Sequence, residues 1–392
     1  MGLLIKVQIF TAYITTHCRV FILDPVLCGF YYSPIFENMF LLRPVTAIAS
    51  TLVKLLVLGL LISQGSCKEK SEPRKIERSF YYWRTVLDLS GFEKQKMDSL
   101  KVKTIYLKFF DVDWDETGNK PVPVAKLQAA NQAFQKGFTI IPTVFITNAC
   151  IQKIDPSQLS QLAENIYSLV LEIKQSNEFD LIPEIQIDCD WTSATKEKYF
   201  QLLINIKHKT PNTKLSCTIR LHQIKYIAKS GVPPVNRGLL MCYNMGNLKD
   251  PATKNSILET AELKKYTGNL SNYPLPLDIA FPLFDWKVLY RNNFYTGLIR
   301  NLPAAVFSNS FSKQTGNRYE ILKDTLLAGY DLRKGDMIRD EQSDIKEVLA
   351  AVDEIGRHLK NTPLRVSLYH LDSVILSKYT THELETLYNS LH

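Results

Sequence analysis

Motifs for binding nucleotides, chelating metals or activating a serine are missing from this sequence. No G-x-G-x-x-G segment follows the first predicted strand, and no phosphate-binding P-loop occurs in the chain. No cysteine pairs have the spacing of zinc ligands, and no G-x-S-x-G segment would present a nucleophilic serine. We therefore expect a protein that uses no cofactor and no metal ion.

Cysteine is present, but not in a pattern that suggests disulfides. Cys150 follows an apolar run, and Cys189, Cys217 and Cys242 each lie inside a strand-like apolar run. A free cysteine in such a place behaves as a small buried hydrophobe. We predict that these cysteines are unpaired residues of a core.

Strong charge of one sign is also missing. The formal net charge is +8 over 392 residues, and the lysines are scattered instead of forming a basic stripe interleaved with aromatic residues. This distribution is typical of solvated faces, so we expect no nucleic-acid partner. The hydrophobic content of 45% and charged content of 22% are those of a globular protein with a sizeable core.

The front of the chain has only a short hydrophobic run. Leu55–Ile62 is an uncharged run of eight residues, whereas a membrane-spanning helix needs about 20. Lys54 precedes the run and Gly65-Ser66-Cys67 follows it, as in a secretory signal. The pattern resembles a bacterial lipoprotein signal, with glutamine at position 64 where an aliphatic residue is usual. The resemblance implies that Cys67 is lipidated; an uncleaved membrane anchor is the alternative.

These features predict the order of segments along the chain. Residues 1–38 are expected to be a non-translated or disordered extension, 39–67 a lipoprotein signal peptide, 68–78 a polar tether and 79–392 a globular barrel. The expected location is the cell envelope. There the chain would be lipid-anchored to the outer or inner membrane and either periplasmic or surface-exposed.

Short apolar runs alternate with amphipathic segments from about residue 79 onward. Their continuous apolar interiors are typical of parallel strands covered on both faces, and eight repeats favour closure into a (β/α)8 TIM-type barrel over an open doubly wound sheet. The predicted strands are Phe80–Trp83, Thr104–Phe110, Phe138–Ile146, Ile182–Asp190, Lys214–Leu221, Gly238–Asn244, Leu277–Phe284 and Arg365–Leu371. The predicted helices are Pro156–Gln175, Thr195–Lys207, Ile257–Tyr266, Arg318–Ala328 and Thr381–Leu391.

The stretch Asp285–Thr362, between the seventh and eighth predicted strands, is longer than a simple crossover. It begins with an apolar segment in which Asn292-Asn293 could turn a small hairpin. We predict an insertion at the functional rim with one or two outer helices, and not a second domain.

Acidic and aromatic residues converge at the C-terminal ends of the predicted strands, where such barrels carry their sites. Asp188 and Asp190 lie two apart on the fourth strand, so alternation puts both on one face. Carboxylates inside a barrel mouth are costly unless they are paired or used. A buried salt-bridge cluster is the alternative explanation. The other candidate substrate-binding residues are Trp83, Asp111, Asp113, Trp114, Arg220, Asn244, Asp285 and Trp286.

Two strands carry a resemblance to a known family. The fourth ends I-D-C-D-W, which resembles the D-G-x-D-x-D-x-E strand of the chitinase-like (family 18) glycoside hydrolases. Met241-Cys242-Tyr243-Asn244 on the sixth resembles their M-x-Y-D strand, and Trp286 suggests their floor tryptophan. The order of these parts agrees over most of residues 79–392. The chain is also similar to uncharacterised Bacteroidetes-type lipoproteins with a glycosidase-like barrel.

The resemblance implies catalytic roles for three residues. In that family the strand-four aspartates orient and tune a glutamate that protonates the glycosidic oxygen, and the substrate's N-acetyl group acts as the nucleophile. By position, Asp188 and Asp190 match the last two aspartates, and Tyr243 matches the tyrosine that holds the acetamido group. The position of the acid falls on Thr192, which cannot be a general acid at neutral pH.

The sequence favours a glycoside hydrolase-like protein that acts on a glycan through carboxylates at the barrel mouth, because paired aspartates stand at the matching positions of the fourth strand; two alternatives remain open. Hydrolysis would need Asp190 as the acid and Asp285, Asp111 or Asp113 as a second carboxylate. A catalytically inactive barrel could bind a glycan or oligosaccharide, with Trp83, Trp114, Tyr243 and Trp286 as stacking platforms. A cell-envelope scaffold would instead bind a protein partner through the insertion. Ile185, Gln186 and Asn244 also depart from the family's pattern.

Overall fold

The computed structural model describes residues 74–129, 137–300, 302–308, 310–359 and 363–391. The predicted extension, signal peptide and lipidated Cys67 lie outside these ranges. The first strand begins at Ile76, so the last three residues of the predicted tether 68–78 belong to the barrel.

Eight parallel strands form a closed barrel. Each strand pairs with the next one, the eighth pairs with the first, and the first pairs with the second, so the ring has no open edge. This confirms the predicted (β/α)8 barrel and excludes the alternative, an open doubly wound sheet. The strands are Ile76–Tyr82, Thr104–Asp115, Thr139–Ile146, Glu184–Asp188, Lys214–Arg220, Arg237–Met241, Leu277–Pro282 and Leu364–Tyr369.

Two short pairings lie beside this ring. The strand Lys120–Val124 runs antiparallel to the end of the long second strand, with which it forms a hairpin. Val86–Leu87 pairs in parallel with Gln128–Ala129. Both pairings belong to the loops that follow the first two barrel strands.

The helices cover the outside of the barrel. The predicted helix at 156–175 is a 3-10 turn, Pro156–Gln158, that continues into Leu159–Ser176 and buries Leu162, Ile166 and Val170. None of the helices in the described residues is long and apolar enough to span a membrane. The others are Gly91–Ser99, Asn148–Lys153, Lys196–Lys209, Leu221–Lys225, Ile227–Ser230, Thr260–Leu263, Ile345–His358, Ser373–Leu376 and Thr381–Asn389, with 3-10 turns at Thr267–Asn272 and Ala304–Phe307.

The insertion between the seventh and eighth strands contains an antiparallel sheet of its own. Asp285–Arg291 and Phe294–Ile299 form the predicted hairpin, and Asn292 and Asn293 both have positive φ angles, of 50° and 65°. Asparagine tolerates this left-handed region, which a two-residue hairpin turn requires. The sheet is completed by Ser312–Thr315, Arg318–Ile321 and Met337–Gln342, and a separate hairpin joins Thr325–Leu327 to Tyr330–Leu332.

The prediction of a helix at 318–328 is wrong, because this segment forms strands. Tyr319 and Ile321 are buried while Glu320 between them is exposed, which is the period of two of a strand. These two side chains enter a small apolar core within the insertion, separate from the barrel core. One outer helix, Ile345–His358, follows the sheet, as predicted for this stretch.

The N-terminal end of the barrel is filled by a buried network of charges. The Arg365 guanidinium lies 3.1 Å from Glu184 and 3.7 Å from Asp278, and it donates a hydrogen bond of 2.8 Å to the hydroxyl of Tyr106. Arg237 lies 3.0 Å from Asp278. Burial raises the pKa of Asp278 to about 6. Glu184, Asp278 and Arg365 lie at or next to the starts of their strands, which makes this network part of the framework and not of the mouth.

The four predicted core cysteines are free and buried: Cys150, Cys189, Cys217 and Cys242.

Candidate functional site

The C-terminal ends of the strands open into a cleft of about 970 Å³. The insertion builds one wall of it with Arg300, Leu302, Pro303 and Ala304. Nine of the predicted site residues line this cleft: Trp83, Asp111, Asp188, Asp190, Arg220, Tyr243, Asn244, Asp285 and Trp286.

Asp188 is the most deeply placed carboxyl group of the cleft. It is the last residue of the fourth strand and is 5% exposed, and its Oδ1 accepts a hydrogen bond of 2.6 Å from the Thr218 hydroxyl. Burial and, second to it, the nearby charge of Asp190 together raise the pKa of Asp188 to about 6. Asp188 is therefore a carboxyl group that changes protonation state near neutral pH.

Asp190 lies two residues further on and is held by Arg220, at the end of the fifth strand. Arg220 Nε lies 2.6 Å from Asp190 Oδ1, and Arg220 Nη2 lies 3.0 Å from Asp190 Oδ2. This two-point contact is the strongest geometry for an arginine and a carboxylate. It raises the pKa of the Arg220 guanidinium against the effect of its burial, and it occupies both oxygens of Asp190.

Aromatic rings form the floor and sides of the cleft. The centroid of the Tyr369 ring lies 6.0 Å from that of Trp83 and 5.3 Å from that of Tyr243. The Trp286 indole is fixed on the other side because its Nε1 donates a hydrogen bond of 2.6 Å to Glu341 Oε2. The cleft therefore presents flat apolar faces whose orientations are set by the protein.

Three residues that line the cleft each carry a buried polar atom with no hydrogen-bond partner among the described residues. The atoms are Asp111 Oδ1, the Tyr243 hydroxyl and His370 Nδ1. Burial lowers the pKa of His370, which favours its neutral form, and burial raises the pKa of Tyr243. The set therefore combines a carboxylate oxygen, a phenol hydroxyl and an imidazole nitrogen, each of which has hydrogen-bonding capacity that the described residues do not use.

Four of the cations in the cleft are neutralised by carboxylates of the chain. Lys108 Nζ lies 2.8 Å from Asp111 Oδ2, while Arg220 holds Asp190 as described. Lys287 lies 3.1 Å from Asp340, and Lys378 contacts Asp285.

Two predicted site residues, Asp113 and Trp114, do not line the cleft. Asp113 Oδ1 accepts hydrogen bonds from the Thr147 hydroxyl at 2.8 Å and from the Trp114 backbone at 2.9 Å. Trp114 is half-buried against the barrel core. Both belong to the hairpin with Lys120–Val124, which carries the second strand past the mouth of the barrel.

The position of the family's acid lies in an adjacent pocket of about 500 Å³. Thr192 is exposed there, beside His222, and the pocket shares Asp190, Arg220 and Tyr243 with the cleft. Among the described residues, no group of three or more histidine, cysteine or acidic side chains is arranged to hold a metal ion.

Tyr369 and Arg300 are cleft residues that the sequence analysis missed. Tyr369 is the last residue of the eighth strand, so the rule that places sites at strand ends could have found it. Arg300 lies in the insertion, just after the strand Phe294–Ile299. The sequence analysis placed the insertion at the functional rim, but no pattern within it pointed to Arg300.

The fold and the cleft define a (β/α)8 barrel with a substrate-sized groove at its C-terminal face. No protein-family model matches the chain, and a comparison with curated protein sequences gives no match. Several solved structures are similar in fold. The spore cortex-lytic enzyme SleL of Bacillus cereus is 12% identical with a TM-score of 0.48, over 81% of this chain and 75% of that one.

Two chitinases are similar to the same extent. The enzyme of Chromobacterium violaceum is 10% identical with a TM-score of 0.47, over 81% of this chain and 98% of that one. The Group IV chitinase of Ostrinia furnacalis, solved in complex with allosamidin, is 13% identical with a TM-score of 0.48, over the same shares. At these identities and TM-scores, the case for an activity rests on the side chains of the cleft itself.

Proposed function

We propose that the cleft binds a glycan and does not cleave it. The observation that carries this proposal is the combination of fixed aromatic faces with three unpaired buried polar atoms in one groove. Sugars have apolar C–H faces and a rim of hydroxyl groups, and this groove offers a partner for each.

The aromatic faces supply the apolar part of the recognition. The Tyr369 ring lies within 6.0 Å of both the Trp83 and the Tyr243 rings, and Trp286, in the insertion, lines the same cleft. Packing a pyranose ring against such faces removes apolar surface from water without asking the protein to reorganise.

The unpaired atoms supply the polar part. A buried polar group without a partner costs about 1–3 kcal/mol. A hydroxyl-rich ligand would remove this cost at Asp111, Tyr243 and His370 together, because it can both donate and accept hydrogen bonds. An apolar ligand of the same size would leave all three atoms unpaired.

The absence of cleavage follows from the acids that are present. General acid catalysis needs a protonated carboxyl group within reach of the glycosidic oxygen. Thr192 stands at the position of the family's acid, and both oxygens of Asp190 are held by Arg220. Asp111 and Asp285 are paired with lysines.

Hydrolysis is the second candidate function, and the raised pKa of Asp188 favours it. A carboxyl group with a pKa of about 6 is suited to proton donation near neutral pH. Its depth and its hydrogen bond from Thr218 count against direct contact with a leaving group. If Asp188 were the acid, release of sugar should fall as the pH rises through about 6 and should vanish in Asp188→Asn.

A screen of purified full-length protein against immobilised oligosaccharides tests binding. Wild type is compared with Trp83→Ala, and Trp114→Ala is the matched control because that indole lies outside the cleft. We expect Trp83→Ala to weaken binding roughly tenfold, which is about 1.4 kcal/mol. Trp114→Ala should bind like wild type. Equal loss in both variants, or no binding by wild type, would contradict the proposal.

We also propose that Cys67 is lipidated and anchors the protein to a membrane of the cell envelope. The basis is the signal-like segment before Cys67 in the sequence. Cys67→Ala should move the protein from the membrane fraction to the soluble fraction and abolish incorporation of labelled fatty acid. Cys28→Ala, upstream of the signal, is the control and should change neither. Label in Cys67→Ala equal to that in wild type would refute lipidation at this residue.

A further inference from the structure

Arg300 differs from the other arginine and lysine residues of the cleft because it has no carboxylate partner in the part of the chain that the structure describes. Lys108, Arg220, Lys287 and Lys378 each contact a carboxylate of the chain. The backbone N–H of Arg300 donates a hydrogen bond of 3.2 Å to the Tyr330 hydroxyl, which fixes where its side chain begins. Its guanidinium is exposed and has no ion pair with any residue of the described ranges.

Arg300 lines the cleft, and its positive charge acts on Tyr369 at the floor. Burial raises the pKa of Tyr369, Asp188 adds to that rise, and the positive charge of Arg300 opposes it. Arg300 therefore acts electrostatically on Tyr369, whose ring lies between those of Trp83 and Tyr243 in the chain of aromatic contacts. A ligand stacked on this floor would have the free cation beside it.

The carboxylates near Arg300 are already engaged with other residues, so a bound anion would be a suitable partner for its guanidinium. Asp111, Asp190 and Asp285 are already engaged with other cations, and Asp188 lies at depth against Thr218. Arginine presents a planar fork of donors that matches a carboxylate in two-point geometry. Among the described residues that line the cleft, Arg300 is therefore the arginine or lysine that no carboxylate of the chain neutralises.

We propose that the glycan bound in this cleft carries a carboxylate, which Arg300 recognises. The inference rests on the proposed function and narrows it to acidic sugars. The carboxylate could belong to a uronic acid ring or to a lactyl ether on an N-acetylated sugar, since both present the same group to a guanidinium.

Binding of matched oligosaccharides to the full-length protein tests this inference. The probes are an uncharged N-acetylglucosamine hexasaccharide, a hyaluronan hexasaccharide, its methyl ester, and a tetrasaccharide of alternating N-acetylglucosamine and N-acetylmuramic acid. We expect roughly tenfold tighter binding of at least one carboxylate-bearing probe than of the uncharged ones. The hyaluronan and muramic acid arms distinguish the ring carboxylate from the lactyl ether.

Arg300→Gln should remove this preference, so that the variant binds the charged and the uncharged probes with similar affinity. Lys313→Gln is the matched control, because Lys313 is exposed on the same insertion but does not line the cleft. The preference should also shrink as salt rises from about 50 to 500 mM. Equal binding of charged and uncharged probes, or a preference that survives in Arg300→Gln, would overturn the inference while leaving glycan binding intact. No binding of any probe would overturn the proposed function itself.

Discussion

Asp188 carries an electrostatic cost that its neighbours do not remove. It is nearly fully buried, accepts one hydrogen bond from Thr218, and lies near the charge of Asp190. Proteins keep such groups where binding or catalysis uses them, although buried ion-pair networks shift pKa values too. The folded chain therefore binds a proton at Asp188 more tightly than the unfolded chain does.

We predict that Asp188→Asn stabilises the protein at alkaline pH. The pKa of Asp188 is about 6 in the folded state and about 4 when unfolded, so wild type loses stability as the pH rises through this window. Asparagine keeps an oxygen for Thr218 and has no charge to bury. At pH 8 its free energy of unfolding should exceed that of wild type by about 3 kcal/mol. The difference should shrink towards pH 4.

Urea unfolding of wild type and Asp188→Asn from pH 4 to pH 8 measures this difference in the free energy of unfolding. A gap that is constant over the whole pH range would mean that the substitution acts through packing and not through the titration of Asp188.

At the scale of elements, the insertion is a small structure with its own core. Its sheet buries Leu289, Tyr319, Ile321 and Ile338 away from the barrel core, and its loop supplies the wall that carries Arg300. Loss of packing in this core should therefore change the cleft before it changes the barrel.

We predict that Ile338→Ala loosens the insertion and weakens glycan binding while the barrel stays folded. Truncating a buried isoleucine costs about 2–5 kcal/mol, which is large for a sheet of this size. Hydrogen exchange should accelerate in residues 285–299 and 310–342 and stay slow in the barrel strands. Acceleration spread evenly over barrel and insertion would show instead that the two unfold together.

The barrel was predictable from the sequence because each of its strands is a continuous apolar run between amphipathic helices. The strand-end rule also placed Asp188, Arg220 and Trp286 correctly in one cleft. The same rule failed for Asp113, because the second strand runs on into a hairpin that the sequence did not signal. The amphipathic pattern failed in the insertion, where the segment predicted as the helix Arg318–Ala328 begins with the strand Arg318–Ile321, which pairs with Ser312–Thr315 and Met337–Gln342.

At the scale of the whole molecule, the two ends of the barrel use buried charge differently. At the N-terminal end, Arg365, Glu184 and Asp278 neutralise one another inside the strands. At the C-terminal end, Asp188, His370 and the Tyr243 hydroxyl are left with unused bonding capacity or a shifted pKa. The first arrangement stabilises the fold, and the second is available to a ligand.

We predict that Arg365→Met destabilises the protein by about 3–5 kcal/mol, because it leaves the buried Glu184 without its cation and leaves Asp278 with Arg237 alone. Arg357→Met is the control. Arg357 makes an exposed pair with Asp353 on the outer helix, and such pairs are worth about 0–1 kcal/mol. Thermal unfolding measures both. Similar losses in the two variants would contradict a framework role for the buried network.

The central claim is that the cleft holds a glycan without cutting it. The most direct test incubates full-length wild type with the oligosaccharide that it binds most tightly, at pH 5 and pH 7, and follows chain length by mass spectrometry. The account predicts that the oligosaccharide is recovered intact after many binding half-lives. Shorter products that appear with wild type and disappear with Asp188→Asn would contradict the account and make the protein a hydrolase.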